Sequence, residues 1–301
     1  MPARLKRPKK VSSGKPPTKK TVKAKTPATT SESSFFPREA NVPSSDFLNY
    51  FSLFYGTKGI GKTTVCSQLD EDSIVFMLEP ARRNLKIRMV EFRPRSTREV
   101  AEDNHEDCWK RIVEMLDKAS DDDSVKHVTL DTIDIAYATS MTSTCVREGI
   151  EHPGGLNDYG AAWNAVKTDF ESVLNNIKYE GKLALTFTSH ATEKDIELST
   201  GKTKKNFAPT ASGSLMKYIK EICDYAFFYG YHEKQRALHV RMGPEVWTAC
   251  GNNDTFCCDE GKISILEMPE DESKSGKAVL AAFNNSPITD VIELWSTQEE
   301  E

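Results

Sequence analysis

Residues Phe51–Leu69 read FSLFYGTKGIGKTTVCSQL, an apolar run that breaks into a glycine-rich loop and resumes as an amphipathic pattern. Gly56, Thr57, Lys58, Gly59, Ile60, Gly61, Lys62 and Thr63 fit the form G-x-x-x-x-G-K-[ST] in full, with Thr64 following. Phe51, Leu53, Phe54 and Tyr55 supply the strand that the motif requires ahead of it. The expected order is strand, phosphate loop, helix. Glycine at 56, 59 and 61 permits backbone angles that a side chain forbids, so that successive N–H groups can turn inward around a phosphate chain. Lys62 is placed to reach the terminal phosphates, and Thr63 to offer a hydroxyl to Mg²⁺. A helix opening near Lys62 adds unpaired N–H groups and a positive dipole end to the same anion. A chance glycine-rich turn would lack the flanking strand and helix. The stretch therefore predicts a nucleoside triphosphate site.

Working outward, 301 residues suffice for one sizeable α/β domain with appendages, since single cores stop growing at roughly 250–300 residues. The net charge of −5 conceals an asymmetry: residues 1–33 carry ten Lys and Arg against Glu32, a balance of +9 that leaves −14 for the rest. Residues 1–45 are rich in Lys, Pro, Ser and Thr, and such a composition buries too little apolar surface to offset its ordering entropy. A disordered basic tail is expected, either contacting nucleic acid phosphates or serving as a solubilising or localising extension. Seven irregularly spaced cysteines with no signal peptide before them fit a reducing compartment. Cys250, Cys257 and Cys258, near His232 and His239, include no C-x-x-C pair and read as ordinary thiols rather than a zinc site. No apolar run approaches the roughly 20 residues of a membrane span, so a soluble, cytoplasmic protein is expected.

After the phosphate loop, Ile74–Leu78 form a continuous apolar run, as a buried parallel strand does, and end on Glu79. A carboxylate at the carboxyl end of a strand lies where open α/β sheets place their chemistry, and there it can orient and deprotonate water; an exposed acid at a strand end is the alternative. Arg82, Arg83, Lys86, Arg88, Arg93, Arg95 and Arg98 make a patch that is either solvated or faces DNA. A helix is expected from about Thr97 to Ala119. Val125–Asp131, VKHVTLD, reads as a strand leading to Asp131, the candidate carboxylate for Mg²⁺ opposite Thr63, with Asp134 as the fallback. Residues 139–158, rich in Ser, Thr and Gly, read as a long loop. A helix from about Asp158 to Tyr179 carries Trp163, Val166, Phe170, Val173, Leu174 and Ile177 as a core stripe. Leu183–Thr188 form the next strand and lead to His190, either a γ-phosphate contact or a satisfied core histidine. A second polar loop, 191–212, holds Lys194, Lys202, Lys204 and Lys205. Helix Leu215–Ile222, strand Tyr225–Tyr231 and its partner Ala237–Arg241 follow. The catalytic core is expected to span 46–245, and 246–301 to be a partly disordered C-terminal extension.

In this order the chain resembles the RecA-like ATPase core, most closely the phage nucleotide-binding proteins grouped with single-strand-annealing recombinases. GTKGIGKTT at 56–64, IVFMLE ending at Glu79, VTLDTID at 128–134, TFTSH ending at His190 and the helix DYGAAWNAVKTDF carry the resemblance, over about residues 50–245. It implies an α/β fold, a mainly parallel sheet with helices on both faces, and ATP with Mg²⁺ as ligands. It further implies that Glu79 is the general base, Asp131 the Mg²⁺ aspartate and His190 the γ-phosphate sensor. Loops 139–158 and 191–212 would line a DNA path, with Lys194, Lys202, Lys204 and Lys205 on the DNA, and Arg241 would reach a neighbouring subunit's ATP site. The function so implied is a single-stranded-DNA-dependent ATPase of annealing or recombination, working as a ring or filament in the host cytoplasm. A single-strand-binding or replication protein is a further partner. The alternatives are a helicase loader or partner-remodelling ATPase, and a nucleotide-gated binding module with little turnover.

Overall fold

The structure, a computed structural model, describes residues 40–80, 86–102, 107–155, 160–197, 203–211, 213–243, 245–258 and 261–286. The chain divides into two units, Met1–Val42 and Pro43–Glu301. Of the first, only residues 40–42 are described, so the expected disorder of the basic tail lies outside the described residues.

Pro43–Glu301 is built on one large sheet. Its strands are β1 (Ser52–Gly56), β2 (Ile74–Met77), β3 (Met89–Glu91), β4 (His127–Asp131), β5 (Ala184–Glu197), β6 (Thr203–Pro209), β7 (Tyr225–His232), β8 (Gln235–His239), β9 (Ala249–Cys250) and β12 (Ile265–Glu267), with β10 (Cys257–Cys258) and β11 (Gly261–Lys262) forming a separate two-stranded ribbon. The helices are α1 (Lys62–Ser67), α2 (Thr97–Glu102), α3 (Cys108–Asp121), α4 (Ile133–Glu148), α5 (Ala161–Glu180), α6 (Gly213–Ile222) and α7 (Ser275–Phe283). The spatial order is β12-β8-β7-β1-β5-β4-β2-β3. Neighbours from β7 to β3 run parallel, and β8 and β12 are antiparallel additions at one side. Strand β5 therefore lies between the phosphate-loop strand β1 and the aspartate strand β4, the RecA-like arrangement of the α/β P-loop fold. The parallel strands read as near-continuous apolar runs because both faces are covered. One face packs Leu53, Phe76, Leu130 and Phe187 against α3, α5 and α6. The other packs Phe54, Phe227 and Tyr229 against α1 and α7. Among the described residues, no helix is long and apolar enough to cross a membrane.

A polar ladder crosses the strands inside this apolar stack. Ser73 Oγ lies 2.7 Å from His127 Nδ1, His127 Nε2 lies 2.7 Å from Thr186 Oγ1, and Thr186 Oγ1 lies 2.9 Å from Ser52 Oγ. His127 is fully buried, and burial pulls its pKa down to about 3.

Five sequence expectations change here. Residues 139–148 are not a loop but the second half of α4. Ser and Thr are weak helix formers, yet Thr139, Ser140, Ser143 and Thr144 are buried by neighbouring helices, and tertiary packing overrides propensity. The hydroxyls of Thr139 and Thr142 donate back to the carbonyls of Ile135 (2.7 Å) and Ala138 (3.1 Å). Gly149, at φ +66°, ends the helix in the left-handed conformation. Within the expected loop 191–212, residues 191–197 and 203–209 are strand: β5 runs on to Glu197 and β6 returns as its antiparallel partner in a ribbon, with Glu193, Lys194, Asp195 and Lys205 exposed. Phe207 anchors its root, stacked on Phe228 with ring centroids 5.1 Å apart. The helix expected over 97–119 is two helices, the second started by Asp107, whose carboxylate accepts from Trp109 N at 3.0 Å and Lys110 N at 3.3 Å.

Trp163 leaves the expected core stripe: it is 40% exposed and packs edge-on against His152, while Val166, Phe170, Leu174 and Ile177 are buried. The boundary at residue 245 also fails. β9 pairs with β7 and β12 with β8, and Val279, Ala282 and Phe283 of α7 share a core with Phe47, Tyr225 and Phe256. Each of these elements is too short to show a period, which is why the sequence reads as loosely held; residues 287–301 lie outside the described residues.

The His127 ladder carries a pH signature. Unfolded histidine titrates near pH 6.5, whereas His127 stays neutral in the fold to about pH 3. Its contribution is complete above pH 6.5 and is lost as pH falls, by about 1.4 kcal/mol per pH unit. His127→Gln removes this term, so the fall in unfolding free energy between pH 7 and 5 should shrink by about 2 kcal/mol in denaturant titrations. Parallel pH profiles for the two proteins would refute the assignment.

Candidate functional site

At the carboxyl edge of the sheet, Lys58, Gly59, Gly61, Lys62, Thr63, Thr64, Met77, Glu79, Pro80, Asp131 and His190 line one cleft of about 550 Å³. Four separate stretches of chain converge there because β1, β2, β4 and β5 are adjacent and parallel. The phosphate loop forms for the reasons its sequence suggests, with one refinement. Gly59 and Gly61 have φ of +84° and +108°, the left-handed region that suits glycine. Gly56 is required for a different reason: a Cβ there would lie 2.0 Å from the Tyr229 carbonyl oxygen, so β7 approaches too closely for any side chain. Lys62 is buried, and its ammonium donates to the carbonyls of Gly56 and Thr57, both at 3.0 Å. The lysine thus folds back over the loop that is to hold the phosphates.

Asp131 is buried at the end of β4 and accepts from two hydroxyls. Thr63 Oγ1 donates to its Oδ2 at 2.6 Å, and Thr188 Oγ1 donates to its Oδ1. The hydroxyl and carboxylate expected to serve one cation are therefore already in contact, a donor set of hard oxygens that suits Mg²⁺. Asp134, the fallback, is engaged elsewhere: it accepts from Ser189 Oγ at 2.7 Å, midway along β5. Glu79 Oε1 and His190 Nε2 are 2.6 Å apart across the cleft mouth, each side chain about a quarter to a third exposed. The other ring nitrogen, Nδ1, is buried without a hydrogen-bond partner among the described residues.

The other expected site residues are placed less centrally. Lys194 is exposed on the β5–β6 ribbon, and Lys205 pairs with Glu193 at 2.8 Å. Lys204 belongs to the backbone of β6, and Lys202 lies outside the described residues. Arg241 does not reach this chain's cleft: its Nη2 donates to the Thr255 carbonyl at 2.8 Å, holding the turn before β10. The sequence reading missed Arg236. Its guanidinium and the Tyr229 ring flank Gly61, lying 3.8 and 3.6 Å from where a Cβ would stand, and Arg236 is ion-paired with Glu272. The antiparallel step from β7 to β8 carries it there, and a register argument for that hairpin was the only signal that could have found it.

Residues 49–255 match a family model described as an AAA domain. No curated protein matches the sequence. Among solved structures, the chain is similar to a KaiC-like protein, PH0186, of the hyperthermophilic archaeon Pyrococcus horikoshii OT3, with 12% identity, 75% of this chain and 87% of that one covered, and a TM-score of 0.40. It is also similar to the RadB recombinase, with 17% identity, 67% and 86% covered, and a TM-score of 0.37. Both likenesses are too distant to transfer any property to this chain. The family match spans the phosphate loop, Glu79, Asp131 and His190 together, over more than two thirds of the sequence, and on that ground the chain belongs to the AAA_24 family of AAA domains.

Proposed function

We propose that the chain is an Mg²⁺-dependent ATP hydrolase whose turnover is tied to single-stranded DNA, acting as a homo-oligomer in annealing or recombination of the phage type. The observation that carries this reading is the position of His190. It bonds Glu79 in the cleft and stands at the point where β5 leaves the sheet to become the exposed ribbon. Its carbonyl accepts from Thr210 N at 2.8 Å, at the ribbon's return, and the neighbouring Ser189 Oγ lies 3.2 Å from Thr210 Oγ1. A change at the cleft mouth is thus two bonds from the arm that projects away from it.

In this reading the loop amides and Lys62 hold the phosphate chain, and Thr63 with Asp131 hold Mg²⁺, which neutralises charge on the phosphates when bound. Glu79 orients the attacking water and takes its proton. In the resting state its carboxylate is engaged by His190, so a γ-phosphoryl group that draws the His190 Nε2–H away also frees Glu79. Phosphoryl transfer needs little beyond such positioning and electrostatics. Supply of Arg241 across a subunit interface would require it to give up the Thr255 carbonyl. Lys194 and Lys205 are the described ribbon residues offered to DNA.

Steady-state hydrolysis measured with and without oligothymidylate, over a range of protein concentration, tests the reading. Stimulation that rises cooperatively with protein is expected; a rate indifferent to DNA would favour an ATPase that remodels a protein partner. Lys62→Ala should weaken ATP binding about tenfold or more, as loss of a charge-assisted bond does. Glu79→Gln should bind ATP normally yet lose about 10²–10⁴ in kcat. A Glu79→Gln protein with undiminished turnover would remove Glu79 from the mechanism. His190→Asn should abolish stimulation by DNA, read as the ratio of rates with and without oligonucleotide.

A further inference from the structure

Beyond β2, the edge strand β3 ends at Glu91, and the chain passes through Phe92, Arg93 and Arg95 before α2 begins. These residues, with Cys108 and Arg111 from the first turn of α3, line a second cleft, of about 320 Å³. Phe92 is buried and forms the floor, with the Arg111 guanidinium over its ring at 5.4 Å from the centroid. Arg93 is exposed and Arg95 half-exposed. Among the described residues, neither of these two makes a side-chain hydrogen bond or an ion pair. Among the described residues, Glu99 is a carboxylate in electrostatic reach of both, and it accepts from Ser96 N at 2.9 Å and Ser96 Oγ at 2.8 Å. Three arginines thus face one small cavity in a body whose net charge, outside the basic tail, is −14.

The ribbon makes this cleft matter. Its described strands, 191–197 and 203–209, carry Glu193, Asp195 and Glu197 against Lys194, Lys204 and Lys205, a formal charge of zero. With Lys202 of the connecting residues counted the arm sums to only +1, which supplies little of the phosphate neutralisation on which strand binding depends. The arginine cleft stands on the same carboxyl edge, at the end of the strand next to the one that carries Glu79, and three strands from β5, or roughly 14 Å.

We infer that Arg93, Arg95 and Arg111 form a binding site for backbone phosphates of single-stranded nucleic acid, holding a strand that runs along the carboxyl edge toward the β5–β6 ribbon. Guanidinium suits this task, since its planar fork meets phosphate oxygens in pairs. The inference rests on the proposed function and names where that function's substrate is held.

Fluorescence anisotropy of labelled oligothymidylate, titrated with the full chain across a KCl series, tests it. The variant R93Q/R95Q leaves Arg111 on Phe92, and its thermal midpoint checks the fold. It should bind at least tenfold more weakly at low salt, with a plot of log affinity against log salt flatter by about 1.4, the loss of two single-strand phosphate contacts. R93K/R95K, which keeps the charge, should recover most of that slope. A wild-type chain that binds no oligonucleotide overturns this site and the proposed function together. A wild-type chain that binds, with R93Q/R95Q showing the same affinity and slope, overturns this site alone.

Discussion

The hydroxyl of Thr63 on the carboxylate of Asp131 is the bond about which the molecule is arranged. Thr63 opens α1, Asp131 closes β4, and the second oxygen of the same carboxylate takes the hydroxyl of Thr188 on the strand between them. A buried carboxylate is tolerated only when its lone pairs are met, and here the side chains that meet them come from the phosphate-loop helix and from β5. The sheet order follows from the same requirement: with β5 placed between β1 and β4, Thr188 and Thr63 both come within reach of Asp131.

From that centre the edge divides into two parts. One holds Lys62, the glycine-rich loop and the Thr63–Asp131 oxygen pair. The other holds Glu79 and His190 at the cleft mouth, with a ribbon rooted one residue beyond His190. At the ribbon's root the Tyr55 hydroxyl is shared between the carbonyls of Trp247 and Phe207, so the strand that carries the phosphate loop also contacts the arm. The phosphate-loop strand and the root of the arm are therefore joined by one side chain.

The fold's centre was legible because its signals are local. The phosphate loop is a contiguous motif, and the strands ending at Glu79, Asp131 and His190 are short apolar runs closed by a polar residue, the pattern of a parallel sheet buried on both faces. What was not legible depends on what each segment packs against. Thr139, Ser140, Ser143 and Thr144 read as loop residues and are helical because neighbouring helices bury them. The ribbon after His190 shows no apolar period in its sequence, where Glu193, Lys194 and Asp195 follow one another and are all exposed. Arg236 could not be found from its own surroundings in the chain, since its place beside Gly61 is a property of how β8 turns back along β7.

Helix α1 is six residues long, and a helix of that length makes too few internal hydrogen bonds to persist by itself. Its far end is held from the other end of the sequence: Gln68 accepts from Gly276 N and donates to the Glu272 carbonyl, both at 2.9 Å, and Gly276 packs so closely on Gln68 that a Cβ would meet it at 2.5 Å. During synthesis the phosphate loop leaves the ribosome among the first ordered parts of this unit, while its brace is more than two hundred residues behind. A chain cut before residue 272 therefore carries the whole motif but lacks the bonds that hold Gln68, and the helix that opens the phosphate loop loses the support at its far end.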